Sequence, residues 1–200
     1  MRVTVFDYGA GNLHSLAKAL EGEGREVRFE TSPRIAVDTD VLVLPGVGAF
    51  APAAAALAPG RTEMRAAILD GLPCMGICLG MQLLFESSAE GPGEGLGVFA
   101  GPVEKLRARR MPQVGWNTLD DTSGPLFADS RLEMAYYANS YVCRPSNEHM
   151  VTAWSTHEND RFPAAVCLGH TVGVQFHPEK SSAPGLRFIR QFLKCLPSQP

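Results

Sequence analysis

Apolar and polar positions alternate with two different periods along the first half of the chain. Short apolar or β-rich runs, such as Val41–Leu44, indicate strands that are buried on both faces. Between them, apolar residues recur every three or four positions, which is the spacing of one helical face. This order predicts a mostly parallel sheet with helices on both faces. The predicted strands are 3–6, 27–29, 41–44 and 73–78, and the predicted helices are 12–21, 61–69 and 79–87.

The second half of the chain changes character after a glycine-rich loop at 91–95. Short apolar runs separated by turn residues favour antiparallel hairpins, and 112–117 is predicted to be a loop. We therefore expect a three-layer α/β fold with an antiparallel region added in the second half. The runs are 98–99, 103–106, 134–142, 151–154, 164–168 and 172–176, with a turn at 168–171 and a closing helix at 184–193.

The composition adds limits to this picture. The chain of 200 residues is 45% hydrophobic and 20% charged with a net charge of −3, which is typical of one soluble domain over 1–200. This charge gives no argument for nucleic acid or a membrane surface, and no apolar run is long enough to span a bilayer. Five scattered cysteines without a CxxC pair favour a reducing cytoplasm over a disulfide framework or a metal site. We expect no cofactor and no metal.

The segment GICLGMQLLFE (76–86) carries the clearest chemical signal. A buried strand, a sharp turn and a helix around G-x-C-x-G form the cysteine version of a nucleophile elbow. The turn would place the Cys78 sulfur over the carboxyl end of the sheet, where the helix N-terminus favours a thiolate. The N–H of Leu79 would then face an oxyanion formed at the attacked carbonyl. The competing interpretation is a buried structural cysteine, as we expect for the other four.

A thiol nucleophile needs a base and a group that orients the base. His177 follows the apolar run 172–176, and Glu179 lies two residues later, which in an extended segment directs both side chains to the same side. We expect His177 to move the proton and Glu179 to fix and stabilise its imidazole. The other histidines, which lack such a partner at this spacing, are predicted to be surface or satisfied side chains.

A second oxyanion donor is expected from another loop at the same edge of the sheet. The segment Pro45-Gly46-Val47-Gly48 follows a buried strand, and the N–H of Val47 is the candidate donor. An ordinary strand-ending turn explains the same residues, so the spacing leaves both interpretations open.

These segments together resemble the class I (triad) glutamine amidotransferases. That family has a G-x-C-x-G elbow followed by Gln, an H-P-E segment with the base, and a P-G-G-like oxyanion strand. Further motifs resemble the glutaminase subunits of imidazole glycerol phosphate synthase. They are DYGAGN (7–12), PGVGAF (45–50), PQVGWN (112–117), YYANSYV (136–142) and HPEKS (177–181).

The resemblance implies that glutamine is hydrolysed through a Cys78 thioester. Ammonia would pass to a separate (βα)8-barrel cyclase, in a heterodimer that makes imidazole glycerol phosphate and an aminoimidazole carboxamide ribotide in histidine biosynthesis. It also implies contacts with glutamine at Gly46, Gly48, Gln82, Ser140 and Tyr141. One departure is Asn139, which stands where related sequences often carry His.

A docking face for the cyclase is expected around the edge that carries the thiol. The candidates are Asn12, Trp116, Asn117 and Lys180. Trp is a frequent interface anchor, although a core tryptophan and a solvated lysine are the competing interpretations.

Three other functions remain open at this point. In the first, the chain is the glutaminase of another synthase, such as pyridoxal phosphate synthase. In the second it is a cysteine hydrolase or stress-response protein of similar α/β fold. In the third it is a binding module with a structural Cys78.

Overall fold

The order of strands and helices follows the predicted alternation. A computed structural model describes residues 1–9, 11 and 13–195. The strands are β1 (Arg2–Phe6), β2 (Glu26–Glu30), β3 (Val41–Leu44), β4 (Cys74–Ile77), β5 (Ser87–Ser88), β6 (Pro102–Lys105), β7 (Gln113–Thr118), β8 (Met134–Asn139), β9 (Tyr141–Cys143), β10 (Val151–His157), β11 (Asp160–Leu168) and β12 (Thr171–Val174). The α-helices are α1 (His14–Leu20), α2 (Pro33–Ala36), α3 (Phe50–Leu57), α4 (Arg61–Leu69), α5 (Leu79–Leu83), α6 (Pro125–Ser130) and α7 (Ser182–Lys194).

The main sheet has the strand order β10-β11-β12-β4-β3-β1-β2. Its five strands from β12 to β2 are parallel, while β10 and β11 extend one edge in antiparallel pairing. Two smaller sheets, β5-β6-β9 and β7-β8, complete the fold. The predicted three-layer α/β fold with an added antiparallel region is therefore confirmed.

Both faces of the main sheet are buried, as the continuous apolar runs predict. On β3, Val41 and Val43 belong to a core that includes residues of α1 and α7. Leu42 and Leu44 point to the opposite core, which includes residues of α3, α4 and α5. Successive side chains of a strand alternate between faces, so a strand between two helical layers has no polar side.

The segment 112–117 is a strand, so the predicted loop is wrong. Gln113–Thr118 pairs with Met134–Asn139 along its whole length, with Trp116 opposite Tyr136. Its pattern misled the prediction because Val114 and Trp116 point outward, whereas Gln113 is buried. The polar side of this strand faces the protein and its apolar side faces outward. In most antiparallel strands with one solvent-exposed face, the apolar side faces the core instead.

The helix predicted over 79–87 ends at Leu83. The N–H groups of Leu84 and Phe85 bond three residues back, to Met81 and Gln82, which tightens the last turn. The chain then turns away, and Ser87–Ser88 pairs with β6. The apolar period continues past the helix because Leu84 and Phe85 are both buried in irregular backbone.

Other differences also have local causes. The run at 98–99 is not a strand, although Phe99 is fully buried and stacks on Phe85. Helix α3 was missed because alanine fills most of it and gives little apolar contrast. Among the described residues, no helix combines the length and apolarity needed to cross a membrane.

Gly80 allows α5 to lie directly against β3. A Cβ at this position would come within 1.9 Å of the Leu44 carbonyl oxygen, and one at Gly76 within 2.6 Å of the Gly80 carbonyl oxygen. The neighbouring atoms are backbone, so they cannot turn aside as a flexible side chain would. The two glycines of G-x-C-x-G are therefore required for close packing around the elbow.

We expect Gly80→Ala to lower the free energy of unfolding by at least about 3 kcal/mol, because the added methyl group overpacks the α5–β3 contact. Urea unfolding followed by circular dichroism measures this loss. Gly22→Ala is the matched control, because its nearest neighbour is the flexible end of Arg25. Equal stabilities of the two variants would contradict the packing argument.

Candidate active site

Cys78 occupies a strained turn between β4 and α5. Its backbone angles are φ 49° and ψ −104°, a region that side-chain-bearing residues rarely adopt. Such a conformation costs about 1–3 kcal/mol and persists only where the surroundings hold it. Here the N–H of Cys78 donates to the carbonyl of Val174 at 2.7 Å, and Gln82 N–H bonds to the Cys78 carbonyl. The elbow is thus fixed on both sides, with its thiol at the carboxyl end of the sheet.

His177 and Glu179 are in direct contact. The Nδ1 atom of His177 lies 2.8 Å from Oε1 of Glu179, and both side chains are almost fully buried. The premise of an extended segment is wrong, because Pro178–Lys180 forms a 3-10 turn. The turn nevertheless brings Glu179 back beside the imidazole, a contact that alternation in a strand was expected to provide.

The charge of His177 is set by opposing effects. Burial alone lowers the pKa of His177, but hydrogen bonds to Cys78 and Glu179 and the charges of both groups raise it to about 9. The second oxygen of Glu179 has no partner among the described atoms, so the imidazolium provides the main compensation for this buried carboxylate. At neutral pH, this arrangement favours an imidazolium that contacts both the Cys78 sulfur and the Glu179 carboxyl group.

The candidate oxyanion segment lies against these groups. A Cβ at Gly46 would come within 2.9 Å of His177 Cε1 and 3.0 Å of Cys78 Cβ, so only glycine fits there. The Tyr8 hydroxyl donates to the carbonyl of Pro45 and holds the start of the segment. Leu79 is the first residue of α5, so its N–H has no acceptor one turn earlier in the helix.

A cavity of about 210 Å³ opens beside Cys78. The structure brings seven of the predicted residues to it, while Val47 is not among its lining residues. The break between β8 and β9 at Ser140 turns Asn139, Ser140 and Tyr141 toward this space. The residues that line it are Gly46, Gly48, Cys78, Leu79, Gln82, Glu90, Pro112, Ala138, Asn139, Ser140 and Tyr141.

Gln82 is held firmly in the wall of the cavity. Its Nε2 atom donates to the Tyr141 carbonyl at 3.1 Å and to Oε1 of Gln175 at 3.3 Å. Both N–H groups of the amide therefore have acceptors within the protein. Its oxygen is the atom left for a ligand.

Sequence reasoning missed Glu90, Ala138 and Gln175. Glu90 lines the cavity and accepts from the N–H of Phe50 at 3.0 Å. It lies in a turn without apolar period, so nothing in the pattern marked it. The Ala138 carbonyl is 4.0 Å from the Cys78 sulfur, and the Gln175 amide donates to that sulfur at 3.5 Å. Gln175 stands two residues before His177, which is the signal that was available.

The predicted interface residues fall in different environments. Trp116 is 50% exposed and meets Tyr136 edge to face, which excludes a core tryptophan. Lys180 is exposed in the turn after His177. The side-chain amide of Asn117 instead donates to the Thr156 carbonyl of its own chain at 2.9 Å. Asn12 lies outside the described residues.

The remaining cysteines differ from Cys78 in their surroundings. Burial raises the pKa of the Cys74 and Cys143 thiols, which keeps both protonated. Cys167 is partly buried and Cys195 is exposed. None of these four lies at a strand-to-helix elbow.

Comparison with known proteins gives the class of protein that this fold and site define. The family model "Glutamine amidotransferase class-I" matches residues 4–195. The chain therefore belongs to the class I glutamine amidotransferase family, whose members are enzymes. It is 40% identical over 200 residues to the "Imidazole glycerol phosphate synthase subunit HisH" of Microcystis aeruginosa, covering 96% of this chain and 94% of the relative. The protein of the same name from Pyrococcus furiosus is 41% identical, covering 96% and 97%.

Solved structures show the same fold at lower sequence identity. One titled "Crystal structure of glutamine amidotransferase" has a TM-score of 0.74 and 22% identity, covering 96% of this chain and 97% of the other. Another, "Structure of PurLQS from Thermotoga maritima", has a TM-score of 0.75 at 20% identity with the same coverage. At this identity the likeness establishes the fold alone.

We expect the His177 imidazole to titrate near pH 9 in the unaltered protein. Glu179→Gln and Cys78→Ala should each lower that midpoint by about one pH unit or more, because each removes a negative partner of the imidazolium. NMR titration of the ring signal measures this directly and requires no substrate.

Glu148→Gln, which alters an exposed carboxylate on another segment, is the control for a general charge effect. An unchanged midpoint in both site variants would refute the proposed charge balance.

Proposed function

We propose that this chain is the glutaminase subunit of an imidazole glycerol phosphate synthase. The observation that carries the proposal is the strained Cys78 beside the buried His177–Glu179 pair at the mouth of a polar cavity. The relatives at about 40% identity support this assignment over the glutaminase of another synthase. We further propose that residues 1–200 form one amidotransferase domain, because the two cores lie on opposite faces of one sheet.

In the proposed reaction, the Cys78 thiolate attacks the γ-carboxamide carbon of glutamine. The N–H groups of Leu79 and Val47 stabilise the oxyanion, and the His177 imidazolium gives its proton to the departing ammonia. A γ-glutamyl thioester remains on Cys78. His177, now neutral, takes a proton from water as the water attacks the thioester, and glutamate leaves. Glu179 keeps the ring oriented and stabilises its cation throughout.

The cavity supplies groups suited to the amino-acid end of glutamine. The carboxylate of Glu90 has the charge to attract an α-ammonium group, and the oxygen of Gln82 can accept from it. Gly46 and Gly48 bring backbone close to the ligand, while Ser140 and Tyr141 form the opposite wall. These positions support the glutamine contacts that the resemblance implies, with Glu90 added.

A partner follows from the chemistry, because free ammonia is lost unless an acceptor is near. We propose a (βα)8-barrel cyclase that docks on the edge carrying Cys78. An outward apolar patch on β7 and β8, comprising Val114, Trp116, Met134 and Tyr136, lies beside this edge. The patch replaces Asn117 as the candidate docking surface, since the Asn117 amide is bonded within the chain.

We also propose that the chain works in the cytoplasm. All five cysteines are unpaired thiols, which is typical of a reducing compartment such as the cytoplasm.

Ammonia release from glutamine tests the proposal. We expect the chain alone to be nearly inactive, and the cyclase with its nucleotide ligand to stimulate release by about 10²–10³-fold, the value of one oxyanion donor. The donor would be Val47 N–H, in a segment where Gly48 has φ +96° and Gly46 touches His177. Cys78→Ala should abolish release in every condition.

Equal activity with and without the cyclase would keep the proposed glutaminase but contradict the proposal that the cyclase brings the Val47 N–H into position as an oxyanion donor. If no Cys78-dependent ammonia forms under any condition, the proposed function is wrong.

Trp116→Ala should weaken binding of the cyclase by about tenfold or more, because exposed aromatic residues of an apolar patch commonly dominate an interface. Titration of the cyclase by calorimetry gives the affinity. Phe29→Ala is the control, since Phe29 is equally exposed but lies on β2 at the far edge of the main sheet. Unchanged affinity of the Trp116 variant would remove this residue from the interface.

A further inference from the structure

A second side chain besides His177 contacts the Cys78 sulfur. The Nε2 atom of Gln175 lies 3.5 Å from the sulfur, within hydrogen-bonding distance for this element. Gln175 is completely buried, and its backbone N–H is bonded to the Ala164 carbonyl at 2.9 Å. It stands two residues before His177 in the bend that follows β12, and both side chains reach Cys78.

The orientation of the Gln175 amide is determined by its neighbour. Gln82 donates to Oε1 of Gln175 at 3.3 Å, while its other N–H is used by the Tyr141 carbonyl. A flipped Gln175 amide would place two N–H donors against each other and turn an oxygen toward the sulfur. The hydrogen-bond network therefore assigns the donor end of Gln175 to Cys78.

We propose that Gln175 is a further catalytic residue, which donates a permanent hydrogen bond to the Cys78 sulfur and stabilises its thiolate. The inference rests on the proposed function in taking Cys78 as the nucleophile. A donor to the charged form of an acid favours that form. His177 donates only while its ring carries a proton on the atom that faces the sulfur, whereas the amide of Gln175 donates at every pH.

The other titratable groups near the sulfur do not supply this donor. Burial raises the pKa of both Tyr8 and Cys143, so they stay neutral, and the Tyr8 hydroxyl is already bonded to Pro45. Glu179 acts through His177, and Glu90 lines the same cavity as an acceptor. Gln175 is thus the neutral side chain whose donor lies within hydrogen-bonding distance of the sulfur.

The network also ties the nucleophile to the substrate wall. Gln82, whose oxygen faces the cavity in the proposed complex, holds Gln175 in place, and Gln175 holds the sulfur. This is a continuous chain of two amides and one sulfur atom. A ligand that moves Gln82 therefore acts on the hydrogen bond to the nucleophile.

The rate of Cys78 alkylation by iodoacetamide, followed against pH, tests the proposal without glutamine. The Cys78 peptide is quantified by mass spectrometry, and the exposed Cys195 of the same sample serves as an internal control. Gln175→Met keeps the length of the side chain but removes the donor. We expect the pH at which the alkylation rate of this variant is half-maximal to rise by about one unit. Below that pH, the thiolate fraction is then about tenfold lower than in the unaltered protein.

The plateau at high pH gives a second readout. A thiolate without the donor is a better nucleophile, so the plateau of Gln175→Met should increase by about threefold. Gln175→Glu retains the shape but turns an oxygen toward the sulfur, so its half-maximal pH should rise at least as far. A purely structural role predicts that the isosteric Glu variant resembles the unaltered protein, and that result would overturn the proposal. Gln113→Met, which changes another buried glutamine, should leave the curve unchanged.

A measurement on the unaltered chain covers the case in which the variants do not fold. With ¹⁵N labelling, the Gln175 side-chain amide signal should move over the same pH range in which Cys78 becomes reactive. The signal should not move over that range in Cys78→Ala. A signal that does not move in the unaltered chain would refute the hydrogen bond.

The two proposals fail in different ways. An unchanged alkylation curve in both Gln175 variants, together with normal glutamine hydrolysis, overturns the role of Gln175 alone. A shifted curve in a protein that never hydrolyses glutamine overturns the proposed function and leaves the hydrogen bond in place.

Discussion

The parallel pairing of β4 with β12 is the constraint on which the site depends. These strands are almost a hundred positions apart in the chain, yet Ile77 lies beside Val174 in register. The residue directly after β4 is Cys78, and its N–H donates to the Val174 carbonyl at 2.7 Å. Because both strands run in the same direction, the elbow and the segment leading to His177 emerge at the same edge of the sheet. A shift of one residue in this register would move each side chain to the opposite face.

Close packing and charge both determine the geometry of the site at the end of these paired strands. Gly80 lets α5 touch β3, which fixes the turn at Cys78, and Gly46 lets the neighbouring loop touch His177. The buried carboxylate of Glu179 requires a positive partner, and His177 supplies it. The raised pKa of His177 therefore comes from its contacts with Cys78 and Glu179, which outweigh the effect of burial. Hydrogen bonds from the Cys78 N–H and to the Cys78 carbonyl hold the strained turn that carries the thiol.

Most of the fold could be predicted from the sequence because buried parallel strands appear in it as continuous apolar runs. Val41–Leu44 matches its predicted bounds for this reason, and helix Arg61–Leu69 matches because its buried residues recur at helical spacing. The strand Gln113–Thr118 could not be predicted, because its apolar side chains face outward and its polar side faces the protein. Within the candidate site, the G-x-C-x-G spacing pointed to Cys78, whereas Glu90 lies in a turn that only the three-dimensional structure brings to the cavity.

The main chain of Tyr136 connects the apolar patch with the segment that carries His177. Its N–H donates to the Ser181 hydroxyl at 2.9 Å, and its carbonyl accepts from the N–H of His177 at 2.8 Å. The Ser181 hydroxyl in turn donates to the His177 carbonyl at 2.7 Å. One residue of β8 therefore presents its ring to the outside while its backbone holds the histidine in position. In the proposed complex, a cyclase that covers this patch would bear on the strand that supports His177. The proposed docking surface and the proposed catalytic histidine therefore share a structural element.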